Sequence, residues 1–175
     1  MYDFQYDTQD ATIFTLVMQA RDAISQMSKK LLAKVGITPE KYHVLLLCVY
    51  SEEPVTINAL SRMLFRKPHS VLGLLNRMEA EGLIVREKPG TQDDQGPMCI
   101  KLTDQGQELY KQSMQPMVSS VTRCMERVPK DELDHLEKGL RSLRNSILRE
   151  MNIESYSMSI SLRQGPGVTA PRKQT

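Results

Sequence analysis

Few folds accommodate residues 67–82, KPHSVLGLLNRMEAEG, together with what flanks them. Val71, Leu74, Leu75 and Met78 recur at spacings of three and four, so they form one apolar helical stripe. His69, Ser70, Gly73, Asn76 and Arg77 fall mostly on the other side. Pro68 suits a first helical position, and Gly82 suits the left-handed residue just past the last turn. A short helical stretch, residues 56–64, precedes this one across a tight connection. Two alternating runs follow it, residues 83–88 and 98–102, joined by the turn-rich loop PGTQDDQGP. The order is helix, turn, helix, then a hairpin that acts as a wing.

The rest of the chain supplies long helices around that unit. Thr8 or Asp10 caps a helix running to about Val35, with Gly36 ending it. Its stripe is Ile13, Val17, Ala20, Ile24, Met27, Leu31 and Val35. Such a helix spans roughly 40 Å, more than a small module covers, so part of the stripe is expected to meet a partner. Thr38-Pro39-Glu40 opens the next helix as cap, first-position proline and first-turn acid. VLLLCVY, residues 44–50, is apolar nearly all round and should be central. A buried strand competes for that run, and the cap upstream decides for helix. Val55 is expected to pair as a short strand with the wing. Thr103-Asp104 starts a long helix with the stripe Tyr110, Met114, Met117, Val121, Met125 and Val128. Pro116 lies inside it and should kink or break it. Pro129-Lys130-Asp131 leads to a last helix carrying Leu133, Leu136, Leu140, Leu143, Ile147 and Met151.

Composition narrows the function classes. The 175 residues are 40% hydrophobic, enough for a sizeable core in one domain. Net charge is only +2, so bulk charge does not point to nucleic acid. Residues 56–102 lean positive, with 7 basic and 5 acidic side chains. The three cysteines, Cys48, Cys99 and Cys124, are widely spaced and show neither disulfide nor zinc-ligand patterning. The first residues are acidic and polar, and no run approaches the roughly 20 apolar residues of a membrane span. A cytoplasmic chain with reduced thiols is expected. There is no Ser/His/Asp order, phosphate loop or HExxH, so neither enzyme activity nor a cofactor or metal is expected.

Three stretches, residues 57–64 (INALSRML), 74–84 (LLNRMEAEGLI) and 100–106 (IKLTDQG), resemble the MarR family of winged helix-turn-helix transcriptional regulators. The likeness covers roughly residues 8–151. It implies a mainly α fold: a winged helix-turn-helix with a small β-hairpin wing and long N- and C-terminal helices forming a dimerisation bundle. Residues 8–36 and 103–154 would form the helical dimerisation region, residues 37–102 the winged helix-turn-helix DNA-binding region, and residues 155–175 a disordered basic tail. The resemblance further implies a homodimeric repressor of a palindromic promoter site in double-stranded DNA, released by a small-molecule effector, with no membrane association. The chain departs from the family at the wing. Where relatives carry Asp-x-Arg, with the arginine in the minor groove, it has Asp94-Gln95-Gly96.

Contacts to DNA are expected from Lys67, His69, Ser70, Gly73 and Arg77 on the recognition helix. Arg62 and Thr56 on the preceding helix, and Arg86 and Lys88 at the wing base, join them. Side chains and free N–H groups at a helix start can meet phosphate or base edges, and arginine can read guanine with two hydrogen bonds. Each has a plainer role: solvated surface for the helix residues, an ordinary N-cap for Thr56, and an i,i+4 pair with Glu81 for Arg77. Asn76 could read adenine if it faces the groove. Tyr42 and His43 could line an effector cavity, while a single histidine such as His135 on the last helix is more often a surface or satisfied core group than a ligand. Cys48 is expected to be an inert core residue, and only Cys124 has a basic neighbour, Arg123. Two alternatives stand beside the repressor: a protein-interaction module of winged-helix fold with weak or lost DNA binding, and a cysteine-based redox-sensing regulator.

Overall fold

A computed structural model of the chain describes residues 3–51, 53–88 and 97–153. Six helices and one hairpin follow in the order α1 (Gln9–Ala33), α2 (Pro39–Tyr50), α3 (Ile57–Met63), α4 (Pro68–Ala80), β1 (Ile84–Glu87), β2 (Cys99–Leu102), α5 (Asp104–Met125) and α6 (Lys130–Glu150). None of the described helices is long and apolar enough to cross a membrane.

Capping chemistry sets most of the starts. Thr38, Thr56 and Thr103 each accept an N–H two or three residues into their helix, at 3.4, 3.2 and 3.0 Å. Thr8 sits at the start of α1 but its hydroxyl makes no cap bond; Thr12 donates its hydroxyl to the Thr8 carbonyl instead. Gly36 and Gly82 end α1 and α4 with φ of +74° and +71°, the left-handed region expected of them. VLLLCVY is helical and central, since Val44, Leu45 and Leu47 are buried.

β1 and β2 pair antiparallel, with Ile84 opposite Leu102 and Glu87 opposite Cys99. The segment before α3 adds to the sheet edge: Ile100 donates its N–H to the Val55 carbonyl at 2.8 Å, and Thr56 bridges Cys99. That is the short third pairing expected at Val55. The core lies among α2, α3, α4 and the hairpin, built on Val44, Leu45, Leu60, Val71, Leu75, Met78 and Ile84. The four stripe residues of the recognition helix are all in it.

Within the single chain, the long helices bury only part of their apolar stripes. In α1 only Leu32 is buried, and it lies off the expected stripe; Ile13 and Ile24 of that stripe are exposed. α5 runs unbroken through Pro116. Its buried positions are Gly106, Tyr110, Ser113 and Ser120 rather than the Met and Val stripe. Gly106, Ser113 and Ser120 repeat every seven residues, and such small side chains permit close approach to the helices beside them. The Ser113 hydroxyl avoids an unpaired burial by donating to the Leu109 carbonyl at 2.6 Å. α6 has no buried residue and no extensive contact with another element. Its leucine face, including Leu136 and Leu140, stays open to solvent in the single chain.

Candidate nucleic-acid interface

The α3–turn–α4 unit is held from several sides. Leu64 closes α3, and Phe65 turns the chain with φ +50°. Arg66 anchors the turn to α2 through Glu40, at 3.0 Å. Glu40 lies in the first turn of α2. A backbone hydrogen bond holds its carboxyl below the usual range, with Thr38 and Arg66 contributing. Lys67 then occupies the N-cap position of α4. It offers no acceptor oxygen, so no side chain caps that helix start.

The face of α4 turned away from the core carries His69, Ser70, Asn76 and Arg77, all exposed, and Gly73, partly covered. At 3.6 residues per turn, His69, Gly73 and Asn76 form the line opposite the buried stripe. Asn76 is exposed on that outward line, on the side opposite the stripe where spacing placed it. Ser70 and Arg77 flank that line.

The two acids at the end of α4 are each held by a basic group from elsewhere. Glu81 takes Lys41 of α2 at 2.6 Å. Glu79 takes the Arg86 guanidinium, with Nε donating at 3.0 Å and a second bond from Nη2. The Arg86 hydrogen bond is the main cause holding the Glu79 carboxyl below the usual range, and it raises Arg86 in turn. The plainer role for Arg77, a pair with Glu81, is thus replaced by Lys41–Glu81. Among the described residues no carboxylate pairs with Arg77. Arg86 is half-buried and committed to Glu79, which ties the wing base to the recognition helix.

The remaining expected contacts are dispersed. Arg62 is exposed on α3, and Thr56 is half-buried with its hydroxyl oxygen occupied as a cap. Lys88 is exposed just past β1. Its neighbour Glu87 pairs across the hairpin with Lys101 at 2.7 Å. The wing loop with Asp93, Asp94 and Gly96, and the expected tail 155–175, lie outside the described residues.

Tyr42 and His43 diverge. Tyr42 is buried and stacks on Tyr110 of α5, with centroids 5.9 Å apart, whereas His43 is exposed. Tyr50 meets the same Tyr110 ring edge-on at 6.1 Å. Burial pushes the Tyr42 and Tyr110 phenols up, and the fully buried Tyr110 hydroxyl has no hydrogen-bond partner among the described residues. The sequence carried no sign of this three-tyrosine cluster, because its members come from two helices far apart in the chain. Among the thiols, burial pushes Cys48 up to about 12, so it is protonated at neutral pH. Cys99 is buried and Cys124 exposed.

A helix-turn-helix whose second helix is fixed by its buried stripe, flanked by a hairpin wing, defines a winged helix-turn-helix protein. Residues 35–93 match the family model described as MarR family. The chain is 29% identical over 105 residues to the HTH-type transcriptional regulator FarR of Neisseria gonorrhoeae, covering 60% of this chain and 70% of that protein. It is 31% identical over 101 residues to the organic hydroperoxide resistance transcriptional regulator of Bacillus subtilis, covering 58% and 66%. The fold matches that of S. aureus MepR in its DNA complex, with a TM-score of 0.65 at 20% identity over 81% of this chain and 99% of that one. The chain belongs to the MarR family of transcriptional regulators.

Proposed function

We propose that this protein is a cytoplasmic, homodimeric repressor that binds a palindromic site in double-stranded promoter DNA through α4 and is released by a small-molecule effector. One observation carries the DNA reading: the outward face of α4 presents His69, Ser70, Asn76 and Arg77 beside the exposed N-cap Lys67, while the acids Glu81 and Glu79 at the end of that helix are tied up by Lys41 and Arg86. A face with exposed cations, hydrogen-bonding side chains and neutralised acids suits phosphate and base edges together. The dimer reading rests on α6, whose leucine face is left uncovered by the described residues of one chain. A second copy supplies the matching face by symmetry. The effector reading rests on the tyrosine cluster where α2 meets α5, at the junction of the bundle and the DNA-binding unit.

The test is a mobility shift against the DNA upstream of the protein's own gene, at two salt concentrations. Binding should prefer that DNA over random sequence and weaken steeply with salt. H69A/S70A should weaken the specific complex more than the non-specific one. No shift at low salt, or no sequence preference, overturns the reading and favours a protein-interaction module. The redox alternative finds no support at Cys48, whose burial disfavours the reactive thiolate.

A further inference from the structure

Gly73 lies inside α4, on its outward face, where glycine costs about 0.5–1 kcal/mol relative to alanine. Nothing in the packing of the described residues calls for it. Its φ is not in the left-handed region. A Cβ added there would meet one group only, the Arg77 Nη1 at 3.9 Å. Backbone does not crowd the position, unlike Gly106, where an added Cβ would lie 2.0 Å from the Leu83 carbonyl oxygen. The glycine therefore leaves space, and the guanidinium of Arg77 lies at the edge of that space.

The consequence is a matter of reach. Long helical side chains lean toward the helix N-terminus. Arg77 sits near the C-terminal end of α4, where an outward arginine meets the DNA backbone more readily than the bases. Recognition helices present their N-terminal residues to base edges. Leaning back over Gly73, the guanidinium is carried one turn toward His69 and Ser70. It stays exposed and unpaired among the described residues, because Glu81 is held by Lys41 and Glu79 by Arg86.

We propose that Arg77, seated over Gly73, is a base-reading side chain of this protein, directed at a guanine in the major groove, and that Gly73 is the positioning residue that gives it that reach. The donor fork of arginine matches the O6 and N7 acceptors of guanine, and lysine cannot reproduce it. Gly73 makes no base contact itself. This inference rests on the DNA-binding reading above, and its test separates the two.

Random-sequence duplex DNA is enriched on the full-length protein and sequenced, for the wild type, R77K, G73A, G73Q and the G73Q/R77K double variant. The wild type should enrich a motif with a fixed G·C pair in each half. R77K keeps the charge but loses the fork, so preference at that pair should fall on the order of tenfold or more while the rest of the motif persists. G73Q fills the seat and should flatten the same pair. The double variant should be no worse there than either single variant. G73A adds a methyl at ordinary contact distance and should retain the motif. Thermal melting of each variant shows that the fold is kept, and G73A covers the case in which G73Q is unfolded: loss of the G·C pair in G73A overturns the seat. An unchanged motif in R77K overturns the base-reading role. Loss at that pair in R77K but not in G73Q, if G73Q is folded, overturns the role of Gly73. A wild type that enriches no motif overturns the DNA-binding reading itself.

Discussion

The joint between the wing and α5 gives the sharpest forecast for stability. Gly106 is buried one turn into α5, against the backbone of Leu83. In G106A the new Cβ would fall 2.0 Å from the Leu83 carbonyl oxygen and 3.0 Å from its carbon. Carbon–oxygen contacts settle near ~3.3 Å, so the strand and the helix must part by more than about 1 Å. That motion strains three linked hydrogen bonds. Thr103 donates its N–H to Leu83 O at 3.2 Å and its hydroxyl to Gly82 O at 2.6 Å, and accepts the Gly106 N–H at 3.0 Å. Overpacking costs roughly 1–3 kcal/mol, and weakening the backbone bond and the cap adds about 1 kcal/mol each. Better helix propensity returns about 1 kcal/mol. The net loss is about 2–4 kcal/mol, or roughly 5–15 °C in Tm for a chain of this size. Circular-dichroism melts at matched protein concentration measure it, since the Tm of any self-associating protein depends on concentration. G139A, in α6 with nothing within 4 Å of an added Cβ, is the control and should not destabilise. A G106A protein that melts at or above the wild-type temperature would refute the close approach of α5 to Leu83.

Other outcomes follow from the same geometry. Glu79 and Glu40 are held below the usual carboxylate range, so their stabilisation is present above about pH 4.5 and is lost as pH falls through their lower folded values. The urea midpoint should therefore drop in that acid window, and E79Q should drop less; identical slopes would remove Arg86–Glu79 from the acid response. L140D, on the open face of α6, should convert the proposed dimer to monomer in light scattering, and a dimer of unchanged strength would place the interface elsewhere. In a C99S/C124S background, Cys48 should resist alkylation at pH 8 until the chain unfolds, because burial holds its thiol at about 12. Rapid native labelling would show that α2 is not packed as described.

Local signals were enough for the winged unit. The Val71, Leu74, Leu75, Met78 stripe, the Thr38 and Thr56 caps and the Gly82 stop each act within a few residues, and all appear as read. The Thr-Asp-x-Gly wing exit was visible as a pattern, but its reason was not. Thr103 and Gly106 answer to Gly82 and Leu83, which lie some twenty residues upstream. The long helices show where periodicity stops being informative. Apolar spacing marks a face without saying whether this chain or another covers it, so α1 and α6 were found while their burial was not. In α5 the buried face joins Tyr110 to the small residues Gly106, Ser113 and Ser120, because close approach selects for size as well as hydrophobicity.

The interface divides in the same way. Sequence alone determined that α4 exists and which of its residues are buried, and it named Lys67 through Arg77 as the groups proposed to meet DNA. Only tertiary structure decided which charges are available to do so. Lys41 arrives from α2 and Arg86 from the wing to claim Glu81 and Glu79. Sequence spacing offered Glu81 to Arg77, its neighbour one turn away. The fold gives that acid to a lysine 40 positions off, because an ion pair depends on distance in space and not along the chain. What remains is an exposed arginine over a glycine, the arrangement on which base reading is proposed to rest.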